Sequence, residues 1–309
     1  MFVKKESKLK KIKLAIDWTP NINHIGFFVS LEKNFYQEYG IDIQIINPFD
    51  DNYSITPAKK IELNIAEFAL CPTETLISYN TKKNKVNLLG IAAILKEDLS
   101  AIVVNRNSNI YSPKDLDGKT YASFNARYEE HIIKQMVVND GGEGKVNYQY
   151  PDKLGIWETI INNRFDSTWI FKNWEGVEAE NLDVKLNYFS MKDYGIPYSY
   201  SPILVCDKNN LSLEPHIMSF IESTKKGFTY ALNNKEDSIK ILKKYLPSKE
   251  KNINLNRAFE LTIPSMSVDN DWGKFDLEKV QLFLDWLFKF KIEKKVSKAK
   301  EIFTNNYLI

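Results

Sequence analysis

The sequence predicts an α/β chain folded as two lobes around a cleft. Two observations carry this. Short apolar runs alternate with amphipathic helical stretches along most of the chain, the order of strand–helix–strand units with parallel or mixed sheets. The chain is also long enough for two packed domains, at 309 residues. It has no repeat, no low-complexity stretch and no long Pro/Gly linker. The lobes are therefore expected to be joined by crossing strands near residues 100 and 200. We place lobe 1 at residues 1–100 plus 206–309 and lobe 2 at 101–205.

Residues 12–16 read as a short strand that breaks at Trp18-Thr19-Pro20-Asn21. Residues 24–38 have helical spacing, with Phe27, Phe28, Leu31 and Phe35 near one face. Gly40 ends that helix, and Ile41, Ile43 and Ile45 then alternate with Asp42 and Gln44 as a strand. A parallel crossover is expected for this unit. A helix follows at 57–63, a buried strand at 68–70, a helix from Thr75 and an apolar strand at 88–94. The second block opens with a strand at 102–104. Ser112 as N-cap and Pro113 at the first helical position mark a short helix. Strands are expected at 120–123, 146–150, 167–171, 184–189 and 203–205, and helices at 128–139 and 157–163. Long amphipathic helices fill 215–246 and 277–290.

Composition excludes several classes. Forty-two basic residues against forty acidic give a net charge of +2, with the signs interleaved, so no basic balance points to nucleic acid. The two cysteines, Cys71 and Cys206, are too few for a disulfide framework or a thiolate zinc site. No run of eighteen apolar residues suits membrane insertion. The lysine-rich start, residues 1–13, lacks the apolar core of an export signal and reads as a frayed, solvated end. As written, the chain is expected in the cytoplasm; a leader removed from it would instead place it in the periplasm or on a lipid anchor. No nucleophile elbow, phosphate loop or HExxH zinc motif is present. Cys71 has no base supplied by a motif and reads as a buried structural thiol.

In open α/β sheets, ligands bind beyond the carboxyl ends of the strands. The polar residues that follow predicted strands are therefore the candidates. They are Asp17, Trp18, Asn21 and His24; Thr73 and Glu74; Asn125 and Arg127; Trp174 and Glu175; and Tyr198 and Tyr200. Together they offer aromatic faces, amides, carboxylates and one arginine among only four in the chain. That set suits a small flat heterocycle, stacked on a ring and hydrogen-bonded at its edge. Each also has a structural reading. Trp18 can cap a core, His24 can cap a helix, Glu74 can complement a helix dipole, Arg127 can make an ion pair, and the tyrosines can simply pack. The lysine pairs at 59–60, 82–83 and 225–226 read as solvated faces.

The run from Leu14 to Gly26, LAIDWTPNINHIG, resembles the opening motif of the thiamine-pyrimidine-precursor proteins. These comprise the formylaminopyrimidine-binding proteins of ABC importers and the fungal-type hydroxymethylpyrimidine phosphate synthases. Phe27-Phe28-Val29, the stretch from Phe35 to Ile43, the turn from Glu67 to Glu74 and Leu116-Asp117-Gly118-Lys119 continue the resemblance, over about residues 12–205. It implies a two-lobed type-2 periplasmic-binding-protein fold with an aminopyrimidine in the cleft. Trp18, Asn21 and His24 would line it, and Glu74 would supply a carboxylate. On the importer branch no cofactor is expected, and an ABC permease would be the partner of an exported form. The alternative is a synthase-like enzyme using pyridoxal phosphate on a lysine. By the same resemblance that lysine falls at Cys71, its histidine at Thr75, and the cysteine-rich segment near Tyr198-Ser199-Tyr200-Ser201-Pro202. The phosphate-gripping loop falls near Asn125-Ala126-Arg127-Tyr128, where Arg127 would be the group to pair with an anion. A sulfonate-binding protein of the same fold is a third reading.

Overall fold

The computed structural model describes residues 9–83, 86–266, 271–295 and 297–308. Ten strands form two five-stranded mixed sheets. The first contains β1 (Lys10–Ala15), β2 (Ile41–Ile46), β3 (Phe68–Cys71), β4 (Leu88–Ala93) and, from the far end of the chain, β10 (Ile203–Asp207). Its order is β2-β1-β3-β10-β4. The second contains β5 (Ser100–Asn105), β6 (Thr120–Ala122), β7 (Asn147–Gln149), β8 (Ser167–Phe171) and β9 (Leu186–Phe189), in the order β7-β6-β8-β5-β9.

The two sheets share one plan. β1 runs parallel to β2 and β3, as the strand–helix–strand reading requires, and β6 runs parallel to β7 and β8. Each sheet has one reversed strand, β10 in the first and β5 in the second. In each case it is the first strand laid down after the chain has crossed from the other lobe. The crossings are residues 94–99 and 190–202. The return crossing thus ends before β10. Residues 203–205, which the sequence placed in the second lobe, pair with β3 and β4 in the first sheet. An all-apolar triplet fits the middle of either sheet, so pattern alone does not choose between them.

Burial explains the sequence patterns. β3 and β4 are buried along their whole length and read as unbroken apolar runs. β2 is an edge strand with a wet face, and there the alternation is clean. The lysine-rich start is only partly as expected. Residues 1–8 lie outside the described residues, whereas Lys10 and Lys13 are β1 residues paired with β2. Of the lysine pairs, Lys60 is buried rather than solvated, with its Nζ 2.6 Å from Asp51 Oδ2. Among the described residues no helix is long and apolar enough to cross a membrane.

One helix crossing positions the site. Helix Ile25–Glu32, directly after the opening motif, packs on the long helix Glu214–Asn233. The helices meet at Gly26 and Gly227. A Cβ on Gly227 would lie 2.1 Å from the Gly26 carbonyl oxygen, so only glycine permits the approach. Ser30 Oγ then donates to the Ser223 carbonyl at 2.7 Å, and the Tyr36 and Thr224 hydroxyls pair at 3.0 Å. Gly227→Ala is expected to force the helices apart at a cost of about 3 kcal/mol or more. Urea denaturation checks this; an unchanged midpoint would show that the crossing has slack.

Candidate functional site

A cavity of about 260 Å³ lies between the lobes, near the lower end of the roughly 300–1,000 Å³ usual for ligand pockets. The structure brings six of the sequence candidates to its wall: Asp17, Trp18, Glu74, Asn125, Glu175 and Tyr198. Asn21, His24, Thr73, Arg127, Trp174 and Tyr200 do not line it. Each of those six is committed to holding the wall in place.

The first-lobe loop is built from its own polar residues. The Asn21 side chain accepts from the Asn23 N–H at 2.9 Å and donates to the Thr19 carbonyl at 3.0 Å. The Asn21 N–H in turn donates to His24 Nδ1 at 3.3 Å. With Nδ1 accepting, Nε2 carries the proton and donates to Asp17 Oδ1 at 2.8 Å. His24 is 1% exposed, so its role is to aim Asp17 rather than to meet a ligand. The other Asp17 oxygen has no partner among the described residues. Trp18 is half-buried, and its ring meets Tyr53 edge-on at 5.9 Å and Phe124 of the second lobe at 5.7 Å. Tyr53 sits at φ +57°, a strained conformation for a bulky residue. Its hydroxyl donates to the Asp17 carbonyl at 2.7 Å, which holds it there.

The second carboxylate belongs to helix Thr73–Thr81. Glu74 accepts from the Tyr198 hydroxyl, and burial pushes its pKa up to about 7. Thr73, one position earlier, is a clamp: its hydroxyl donates to the Tyr200 carbonyl at 2.7 Å. Tyr200 turns its ring to Phe275 and its hydroxyl oxygen accepts from the Asp276 N–H at 2.9 Å, so it points away from the cavity. Tyr198 and Tyr200, two positions apart, would share one face of a regular strand. The segment that carries them is an irregular crossing, and they diverge. Cys71 also lines the cavity. Burial, with Asp17 and Glu74 nearby, pushes its thiol well above the ordinary range, so it is neither a thiolate nor an amine.

The second lobe supplies Phe124, Asn125, Glu129, Lys153, Trp169 and Glu175. Asn125 lies at φ +59°, which its short side chain tolerates. Arg127 points outward to the first lobe. Its guanidinium lies 2.6 Å from Glu293 and donates to Thr81 Oγ1 at 2.9 Å, so it latches the lobes and is not offered to an anion. Trp174 is buried core before helix Glu175–Asn181. Glu175, the first residue of that helix, accepts from the Phe171 N–H at 3.0 Å, and burial lifts its pKa to about 8. Glu129, buried, accepts from four donors; Lys153 rests its ammonium over the Tyr53 ring at 5.1 Å. Lys153 is the one basic side chain of the lining. Tyr53, Glu129, Lys153 and Trp169 were not singled out in the sequence. Lys153 follows β7 and Tyr53 follows β2, so the strand-end rule reaches both if loops of several residues are admitted. Trp169 lies inside a strand, where no sequence rule separates it from core.

The cavity is thus lined by aromatic rings and carboxyl groups drawn from both lobes. It offers hydrogen-bond acceptors to a flat ligand. It does not fit pyridoxal phosphate at the positions the resemblance gives, because Cys71 and Thr75 bring neither amine nor imidazole. No cluster of metal ligands occurs among the described residues. The raised carboxyls have a consequence for stability. Glu175 ordinarily titrates near 4.5 and here near 8, so across that window the folded protein holds a proton that the unfolded chain releases. Its contribution is fully present below the ordinary value and lost as pH rises through about 8. Thermal denaturation is expected to show a midpoint that falls between about pH 5 and pH 8 and levels off above it. Glu175→Gln should flatten that fall; an identical slope would contradict the assignment.

The NMT1/THI5-like family model matches residues 21–238. A formylaminopyrimidine-binding protein of Halalkalibacterium halodurans is 24% identical over 294 residues, covering 91% of this chain and 86% of that protein. A 4-amino-5-hydroxymethyl-2-methylpyrimidine phosphate synthase of Legionella pneumophila is 22% identical over 277 residues, covering 87% and 85%. The alkanesulfonate-binding protein SsuA of Xanthomonas axonopodis pv. citri, bound to MOPS, superposes with a TM-score of 0.71 at 10% identity, covering 95% of this chain and 98% of that one. The fold is therefore that of the two-lobed periplasmic binding proteins. The family match runs from the Asn21–His24 loop through both crossings and the whole second sheet, and the chain belongs to the NMT1/THI5-like family.

Proposed function

We propose that the protein reversibly binds a small aminopyrimidine of the thiamine-precursor type in the interlobe cavity. The observation that carries this is a cavity lined by both aromatic rings and buried carboxyl groups. Trp18, Phe124 and Trp169 supply the rings, and Asp17, Glu74 and Glu175 supply the acceptors, around about 260 Å³. An aminopyrimidine presents two apolar faces and an edge of amine hydrogens beside a ring nitrogen. The faces stack on the aromatic residues. The exocyclic amine donates to a carboxylate such as Glu74 or the open oxygen of Asp17. Because Glu74 titrates near 7, it meets the edge in either form, as acceptor for the amine or as donor to the ring nitrogen. The formylaminopyrimidine-binding relative supports this reading. A sulfonate would want positive charge, and among the described residues the lining has Lys153 as its one cation, already resting over the Tyr53 ring.

No catalytic step is part of this reading. Cys71 and Thr75 stand where a synthase of the resembling branch would keep its lysine and histidine. Uptake through an ABC permease belongs to the proposal only for an exported form of the chain.

Calorimetric titration with 4-amino-5-hydroxymethyl-2-methylpyrimidine, the unphosphorylated form of the compound in the relative's name, tests it. The wild type should bind with one-to-one stoichiometry. Trp18→Ala should lose roughly 1 kcal/mol or more of stacking with the fold intact. Glu74→Gln should lose about 1.5–3 kcal/mol from a charge-assisted bond. Wild-type protein that fails to bind, or variants that bind equally well, would overturn the reading.

A further inference from the structure

A turn from a strand end into a helix is where open α/β sheets commonly hold anions, through unpaired backbone N–H groups. In the second lobe that turn is residues 123–128, between β6 and helix Glu129–Asn139, and its Phe124, Asn125 and Ala126 line the cavity. Here the amides of residues 123–126 are already spent. The Ser123 N–H donates to the Gln149 carbonyl at 2.8 Å. The Asn125 N–H donates to Ser123 Oγ at 3.0 Å. The Phe124 and Ala126 N–H groups donate to Glu129, at 3.1 Å to Oε1 and 3.2 Å to Oε2. The Tyr121 and Ser123 hydroxyls complete the set, at 2.9 Å and 2.8 Å. Glu129 is 2% exposed and accepts four bonds. Its carboxyl occupies the place where a bound anion would find its donors.

We infer that Glu129 is a built-in anion that makes the cavity reject phosphate esters, so that the ligand is the unphosphorylated pyrimidine. This rests on the pyrimidine-binding reading and adds the ligand's phosphorylation state to it. The surroundings agree. Arg127, the nearest guanidinium in the chain, is spent on Glu293 and Thr81. Lys153 is the single cation of the lining, set against Asp17, Glu74, Glu129 and Glu175. A phosphate monoester carries nearly two negative charges above pH ~7. Placed here it would give up water, find the amides of residues 123–126 taken and meet the Glu129 carboxyl in their midst.

Titration calorimetry of the wild type at about pH 8 compares the aminopyrimidine alcohol with its phosphate monoester. The alcohol should bind at least about tenfold more tightly. An ester that binds as tightly or more tightly overturns the inference and leaves the pyrimidine reading standing. If neither compound binds, the pyrimidine reading fails, and inorganic phosphate still decides the role of Glu129. In a thermal-shift assay phosphate at about 10 mM should leave the wild-type midpoint unmoved and raise that of Glu129→Ala, whose donors are freed. A wild type stabilised by phosphate overturns the inference. If Glu129→Ala does not fold, the two wild-type measurements carry the decision alone.

Discussion

His24 Nε2 donates to Asp17 Oδ1 at 2.8 Å from a position closed to solvent, and the first-lobe wall hangs on that bond. His24 leads into a helix whose position is set by the contact of Gly26 with Gly227, so the histidine cannot shift without moving the lobe. Asn21 fixes the tautomer by donating its N–H to Nδ1. Asp17 is therefore aimed by the core, and the residue after it, Trp18, is presented to the cleft. The packing of two helices is in this way continuous with the direction of one carboxylate.

A second constraint acts between the lobes. Trp18 meets Phe124, the Lys153 ammonium covers Tyr53, Asn173 donates to Asn23 at 2.7 Å, and Arg127 pairs with Glu293. Each contact joins a first-lobe residue to a second-lobe residue. The cavity exists only when these are made, because its walls come from both lobes. A ligand touching Trp18 of the first lobe and Trp169 of the second would add its own contacts to the same arrangement, which is how a two-lobed protein couples binding to closure. The carboxyl groups of the lining add selectivity. Buried carboxyls such as Glu74 and Glu175 are costly to ionise, and a ligand that donates hydrogen bonds to them offsets that cost.

Much of the fold was legible in the sequence. The strand at 41–46, with its clean alternation, and the apolar runs at 68–70 and 88–94 follow directly from edge and interior positions. The boundary at residues 203–205 was not legible, since an apolar strand carries no mark of the sheet it joins. In the site, strand-end logic reached Asp17, Trp18, Glu74 and Glu175 because they directly follow strands or open the next helix. It also gathered Asn21, His24 and Arg127, which the same loops need for support. Whether a polar side chain faces a cleft or its own loop depends on hydrogen-bond partners distant in sequence. Glu293, 166 positions beyond Arg127, is such a partner. Trp169 escaped because it lies within a strand, and Lys153 because its loop leaves a short edge strand.

The central claim is that the cavity holds a small pyrimidine reversibly. Native mass spectrometry of the protein as purified from cells, followed by the same sample denatured, tests it most directly. The account predicts a bound mass that matches an aminopyrimidine and disappears on denaturation. An adduct that survives denaturation after borohydride treatment, mapped to a lysine such as Lys153, would contradict it and establish covalent pyridoxal phosphate chemistry in its place.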